Sequence, residues 1–281
     1  MPASAADAPC PEQAFNATAL KWHTCAWLLL PVLIFLAGWM HWYAALPLML
    51  LTAAGLAPRK CKEPQTRDSI PAFPLFTRSS FLALAAFAAL MTLSGWGEWV
   101  NQHPDHIVRN ACLRELVASP WPVIFPDGNM LVYNTGFWLV PALAGKLAGL
   151  DAARVFVVLW GTWGLFLTWL WLCVFSGRRS LLLALLMAAF GSLLNFQCWL
   201  GLDLFRLHYF GTAEQIMCSA NASIPVLLFF IFLASGRMPL PWIPLLFAAT
   251  AFYSPLAALG GLPLAACQWY RQWRGVPPLR D

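Results

Sequence analysis

The chain has 281 residues, of which 60% are apolar, 15% aromatic and only 10% charged, with a mean hydropathy of +0.65. A soluble globular domain carries roughly 25% charged residues, so too few are present to cover a water-facing surface, and lipid must solvate much of the molecule. The net charge of +5 does not point to nucleic acid, because the basic residues fall between apolar runs, as they do in the loops of membrane proteins.

The chain order predicts an all-α, polytopic transmembrane bundle of about eight spans, each taking about 20 apolar residues. Residues 1–24 are expected to form a cytoplasmic tail; they lack the basic n-region of a cleaved signal peptide. Apolar runs then predict spans at 25–40 and 43–57, separated by Trp39-Met40-His41-Trp42, and a third at 79–97. An outer loop, 98–153, precedes spans at 154–176 and 180–199. A second outer loop, 200–220, leads to spans at 221–235, 239–253 and 255–270, the last two divided at Tyr253-Ser254-Pro255. Residues 271–281 form a second cytoplasmic tail.

The stretch 131–150 is apolar but carries Pro141 and Lys146, and the loop charges decide its place. If it does not cross, Lys21, Arg59, Lys60, Lys62, Arg67, Arg78, Arg178, Arg179, Arg237, Arg271, Arg274 and Arg280 share one side. That is 12 of the 17 basic residues, against Arg109, Arg114, Lys146, Arg154 and Arg206 on the other. The positive-inside rule then places both termini in the cytoplasm. Letting 131–150 cross would carry Arg178 and Arg179 to the wrong face, so it is read as a helix in the outer interface.

Most polar residues of chemical interest lie in the first outer loop: Glu98, His103, Asp105, His106, Arg109, Asn110, Arg114, Glu115 and Asp127. Asp105 to Val117 has a helical pattern, with Ile107/Val108, Cys112/Leu113 and Leu116 on one side. Pro104 opens it, and Pro120 and Pro122 close it. Asp105 in the first turn suits the helix dipole, which marks a cap as readily as a base. His103 and His106 near Asp105 supply metal-ligand types without a diagnostic spacing, and no metal is expected. The eight Cys include no CxxC pair. Cys25, Cys173, Cys198 and Cys267 read as small buried hydrophobes, while Cys112 and Cys218, in the two outer loops, leave a disulfide open.

An outer loop with Asp at a short helix start, an interfacial helix ending Lys146-Leu147-Ala148-Gly149, and a span with Arg178-Arg179 at its inner end resembles the type-C (GT-C fold) membrane glycosyltransferases. In the protein mannosyltransferase and aminoarabinose transferase branches, the first outer loop carries an acidic pair and then an aliphatic helix with Arg-Glu. Asp105-His106 through Arg114-Glu115-Leu116 is similar, with His106 standing at the second acidic position. Bacterial membrane proteins of this class resemble the chain more closely, over Asn110-Ala111-Cys112-Leu113-Arg114-Glu115-Leu116, Trp121-Pro122 and Tyr253-Ser254-Pro255-Leu256. The likeness covers roughly residues 79–265. Such proteins are usually longer, so the chain is expected to match their N-terminal part.

The resemblance implies a multi-pass protein of the bacterial inner membrane, with membrane lipid around it. It implies a polyprenyl-phosphate sugar as donor, an acceptor hydroxyl on the outer face, and no other cofactor. Asp105 is then the general base for the acceptor. The leaving phosphate needs cations, and the Lys and Arg expected outside are Arg109, Arg114, Lys146, Arg154 and Arg206; His106 and His208 join them as substrate-binding candidates. Interfacial snorkelling explains Arg206 and His208 equally well.

Two rivals stand beside this reading. A proton- or ion-coupled carrier would place ionisable groups within its spans, and beyond Arg154 at the edge of one, the predicted spans hold no Asp, Glu, Lys or Arg. A lipid flippase, or a non-catalytic or truncated multi-pass protein, stays open.

Overall fold

The computed structural model describes residues 17–57, 77–100, 102–190 and 211–276. Among these the chain is all-α, with ten helices and a single isolated bridge between Ile124 and Met130. They are α1 (Ala17–Trp39), α2 (Trp42–Leu56), α3 (Arg78–Leu93), α4 (Pro104–Ala118) and α5 (Gly136–Ala148). There follow α6 (Leu150–Ser176), α7 (Leu181–Ala189), α8 (Thr212–Ala234), α9 (Trp242–Tyr253) and α10 (Pro255–Trp273). The breaks at Met40-His41 and at Ser254 fall where the sequence places them, and the helix after Pro104 forms, but with Ile107 and Val108 exposed and His106 and Arg109 buried beside Cys112, Leu113 and Leu116.

Among the described residues, three helical stretches are long and apolar enough to cross a membrane: Thr18–Trp39, Leu150–Ser176 and Thr212–Ala234. Four others, Trp42–Leu56, Arg78–Leu93, Gly136–Ala148 and Trp242–Tyr253, are apolar but only 10–17 residues long. The 15-residue α2 reaches about 23 Å, against a hydrocarbon core of about 30 Å. Of about eight expected spans, three therefore meet both criteria. The apolar runs extend past the helices because hydropathy reads through turns. The run at 79–97 is one case: α3 stops at Leu93, and Gly95 and Gly97 take φ of +93° and +94°.

Two boundaries also move. Helix α1 reaches back to Ala17, into the stretch expected to be a tail. Residues 212–220, expected in the second outer loop, are helical, with Glu214 Oε2 accepting from the Gly211 N–H at 2.8 Å to start α8. The second half of the 180–199 run lies outside the described residues.

Helix α6 runs through the core, packed by α5, α8 and α3. Against it, the Trp27 ring lies between Trp160, 5.0 Å away and 12° from parallel, and Tyr253, 5.7 Å and 9°. In an apolar interior each aromatic N–H and O–H needs an acceptor. The Trp27 indole donates to the Trp160 carbonyl, the Tyr253 hydroxyl to the Trp27 carbonyl, and the Trp171 indole to Thr24 Oγ1. These bonds set the register of α1, α6 and α9.

Close approach at this core requires a glycine in α6. A Cβ on Gly164 would lie 2.6 Å from Ile224 Cγ2 and 2.7 Å from the Trp27 ring. Overpacking of this kind costs about 1–3 kcal/mol, so Gly164→Val should lower the melting temperature in detergent and broaden the size-exclusion peak. A wild-type profile would contradict this packing.

Candidate functional site

The site grows from the turn after α3. Glu98 has φ +68°, directly after Gly97 and three residues after Gly95, two glycines in the same region. A side chain there costs about 1–2 kcal/mol, so the surroundings must hold it. They do so through charge: Glu98 Oε2 accepts from Arg114 Nη2 at 2.5 Å and from Arg154 Nη2 at 2.6 Å. Burial pushes the Glu98 carboxyl up, but the two guanidinium groups outweigh it and hold it below the usual carboxylate range. Arg154 also donates to Asp151 at 2.8 Å. One carboxylate thus ties α4 to the start of α6.

The other end of α4 docks on α8. His103 caps the helix, its Nδ1 accepting from the Asp105 N–H at 3.3 Å. His106 returns the contact, its Nδ1 accepting from the His103 N–H at 3.3 Å. The proton of a neutral His106 ring must then be on Nε2, which donates to the Met217 carbonyl at 2.9 Å. Burial, opposed by that last bond, lowers the His106 pKa. Trp96 makes a parallel contact, its indole N–H donating to the Ile216 carbonyl at 2.8 Å. Both carbonyls lie just before Ser219, where α8 leaves helical geometry (φ −153°, ψ 43°).

Arg109 completes the cluster. It is 8% exposed, with Nη2 donating to Ser219 Oγ at 3.2 Å and the guanidinium 5.9 Å from the Trp96 ring centre. Asp105 Oδ2 is 3.7 Å from the same nitrogen, on a side chain that is 51% exposed. The Arg109 Nε and Nη1 are buried with no hydrogen-bond acceptor. The result is an accessible carboxylate beside a buried, partly unsatisfied cation, one turn apart on one helix.

The remaining candidates are distributed differently. Arg114 and Arg154 meet each other through Glu98 rather than through Asp105. Lys146 lies at the far end of α4, about 18 Å from Asp105 along the helix. Its Nζ donates to the Ser119 carbonyl at 2.6 Å and lies 5.0 Å from the Trp121 ring centre. His106 is 1% exposed with both ring nitrogens engaged, so it holds α4 in place. Arg206 and His208 lie outside the described residues. Cys112 and Cys218 are free thiols, which closes the question of a disulfide between them.

A cation could be held by His103, Asp105 and Cys218, which place one ligand atom each within 4.8 Å of one another. Arg109, with its fixed charge 3.7 Å from Asp105, opposes a metal there electrostatically. Sequence reasoning missed Glu98, Trp96 and Ser219 as parts of the site. Glu98 stood in plain view in the loop, but its partners are 16 and 56 residues away.

The docking of α4 should depend on pH through His106. The folded protein holds this ring below its ordinary value of about 6.5, so the unfolded chain takes up the proton first as the pH falls. Its stabilising contribution is full above about pH 6.5 and is lost as the pH drops through the folded value. Amide exchange in α4, corrected for intrinsic rates, should accelerate over that range. His106→Phe should abolish the dependence at a cost of about 1–3 kcal/mol for the stranded Met217 carbonyl and His103 N–H. A flat profile in the native protein would refute this role.

Comparisons with models of known protein families, with curated proteins and with solved structures found no match.

Proposed function

We propose that this chain is a type-C membrane glycosyltransferase. It moves a sugar from a polyprenyl phosphate to an acceptor hydroxyl at the outer face of the bacterial inner membrane. The supporting observation is the Asp105–Arg109 pair, a half-exposed carboxylate 3.7 Å from a buried guanidinium at one end of an apolar helical bundle. The family resemblance of the surrounding loop supplies the substrate class.

In this reading Asp105 accepts the acceptor proton while the acceptor oxygen bonds to the anomeric carbon. The bond from that carbon to the phosphate oxygen breaks, and the phosphate leaves with the electron pair. Arg109 offsets the charge that develops on it. Glu98, Arg114 and Arg154 fix α4 against α6, and Lys146 anchors the C-terminal carbonyls of α4. Arg206 and His208, outside the described residues, keep the substrate-binding role the resemblance implies for them. The shorter apolar helices complete a bundle of about eight spans, with both termini cytoplasmic and α4 in the outer interface.

The test uses the full chain in nanodiscs with labelled polyprenyl-phosphate hexose and pentose donors and cell-envelope glycan acceptors. Acceptor-dependent transfer of label, with release of polyprenyl phosphate, is expected. Absence of transfer from every such donor would favour the second reading, a non-catalytic multi-pass protein or flippase. One observation favours that reading: Arg114, Arg154 and Lys146 are already engaged by the protein itself.

A further inference from the structure

The two ends of the bundle differ in charge. Among the described residues every Asp and Glu lies between Glu98 and Asp151 or at Glu214, toward the start of α6. The other end lies about 40 Å away along the 27 residues of α6. Two elements meet there, the start of α3 and the turn from α6 to α7. Arg179 Nη2 donates to Ser80 Oγ, and its guanidinium lies 5.6 Å from the Trp169 ring centre. The Trp169 indole donates in turn to the Ser180 carbonyl at 3.0 Å. The turn is thereby held against α3.

That contact brings two further arginines to one place. Arg78 lies two residues before Ser80 and Arg178 directly before Arg179, and both are exposed. Among the described residues neither side chain has an ion-pair or hydrogen-bond partner. The second observation concerns the helices that leave this end. Phe81 and Leu82 on α3, and Leu182, Leu185 and Leu186 on α7, are each more than half exposed. Helices α3 and α7 pack against each other, so the arginines stand at the head of two neighbouring helices with apolar faces. A soluble anion would use the charge alone, whereas a lipid anion uses both features.

We infer that Arg78 and Arg178 bind the headgroup of an anionic phospholipid, whose acyl chains lie along the apolar faces of α3 and α7. Arg179 is a positioning residue, since its bond to Ser80 sets where the other two arginines sit. Thr77 and Ser180 already cap the two helix starts, so arginine charge and not helix amides carries the binding. Arg274, exposed at the end of α10, differs in being engaged by the protein. Its Nε donates to the Tyr270 hydroxyl at 3.2 Å, and its guanidinium lies 5.6 Å and 5.5 Å from the Tyr270 and Trp273 ring centres. The inference needs a bundle set in a membrane, and sugar transfer plays no part in it.

The test uses the full chain, purified in a neutral detergent and stripped of lipid, to which phosphatidylglycerol or phosphatidylcholine is added. Lipid retained in native mass spectra and the melting temperature are the readouts. Phosphatidylglycerol should be retained and raise the melting temperature, while phosphatidylcholine should do neither. Inorganic phosphate at equal ionic strength should leave the melting temperature unchanged. Arg78→Gln and Arg178→Gln should each weaken phosphatidylglycerol binding about fivefold, and the double variant about twenty-five-fold, as expected for the attraction of each basic residue to an anionic surface. Arg274→Gln should bind as the wild type does. Four results would each overturn the inference: equal retention of the two lipids, an equal stabilisation by inorganic phosphate, a double variant of native elution that binds as wild type, or an equal loss in Arg274→Gln. Asp105→Asn should bind lipid as the wild type does, so failure of the lipid site and failure of the transferase reading are told apart.

Discussion

Asp105→Asn should lower sugar transfer by roughly a hundred- to ten-thousandfold, the range a positioned general base supplies. The substitution keeps the shape of the side chain and removes its ability to take a proton. Stability should change little. The carboxylate is half exposed, and its ion-pair partner, Arg109 at 3.7 Å, is at a distance where exposed pairs contribute about 0–1 kcal/mol. The helix start does not depend on it either, because His103 and His106 supply the cap. Single-turnover transfer on protein with a native elution profile is the relevant measurement. Full activity in the folded variant would remove Asp105 from the mechanism.

The largest structural effect is expected from Glu98→Gln. The neutral amide would leave Arg114 without an anion and Arg154 with Asp151 alone, and would weaken the contact that holds residue 98 in left-handed geometry. Breaking a fully buried pair costs about 3–5 kcal/mol; because Arg114 is half exposed, about 2–3 kcal/mol is expected here. The pH dependence follows from the depressed carboxyl. Its contribution is full above the ordinary Glu value of about 4.3 and is lost as the pH falls through the lower folded value. The native protein should therefore loosen around α4 on strong acidification, and Glu98→Gln should be loosened already at neutral pH. An unchanged melting temperature in the variant would show that the hub holds nothing.

Much of the bundle was legible from apolar runs and their breaks, because burial in lipid or among helices selects the same residues. The His41 and Ser254 breaks and the Pro104 helix start carried local chemistry that a sequence displays. What hydropathy could not separate was a helix from the turn that follows it. Residues 94–97 carry no charge to mark the end of the run, yet Gly95 and Gly97 take left-handed φ and end the helix. The same limit placed Thr212–Ala220 in a loop, since its polar residues, Glu214, Gln215 and Ser219, hide a helix whose stability comes from tertiary contacts.

Within the site, Asp105 and Arg109 were legible because they lie one turn apart on one helix. Glu98 with Arg154, and Trp96 and His106 with the carbonyls before Ser219, were not. Those contacts join segments more than 50 residues apart, and no local pattern reports a backbone carbonyl freed by a break in another helix.

The central claim is that α4 and its loop face the outer side, where a lipid-linked sugar and an envelope acceptor meet. Val132, in the loop between α4 and α5, is 89% exposed and is suited to a reporter cysteine. In intact cells, a membrane-impermeant maleimide should label Val132→Cys well above the unsubstituted protein. Labelling that appears only after the membrane is permeabilised would put the loop in the cytosol and contradict the account.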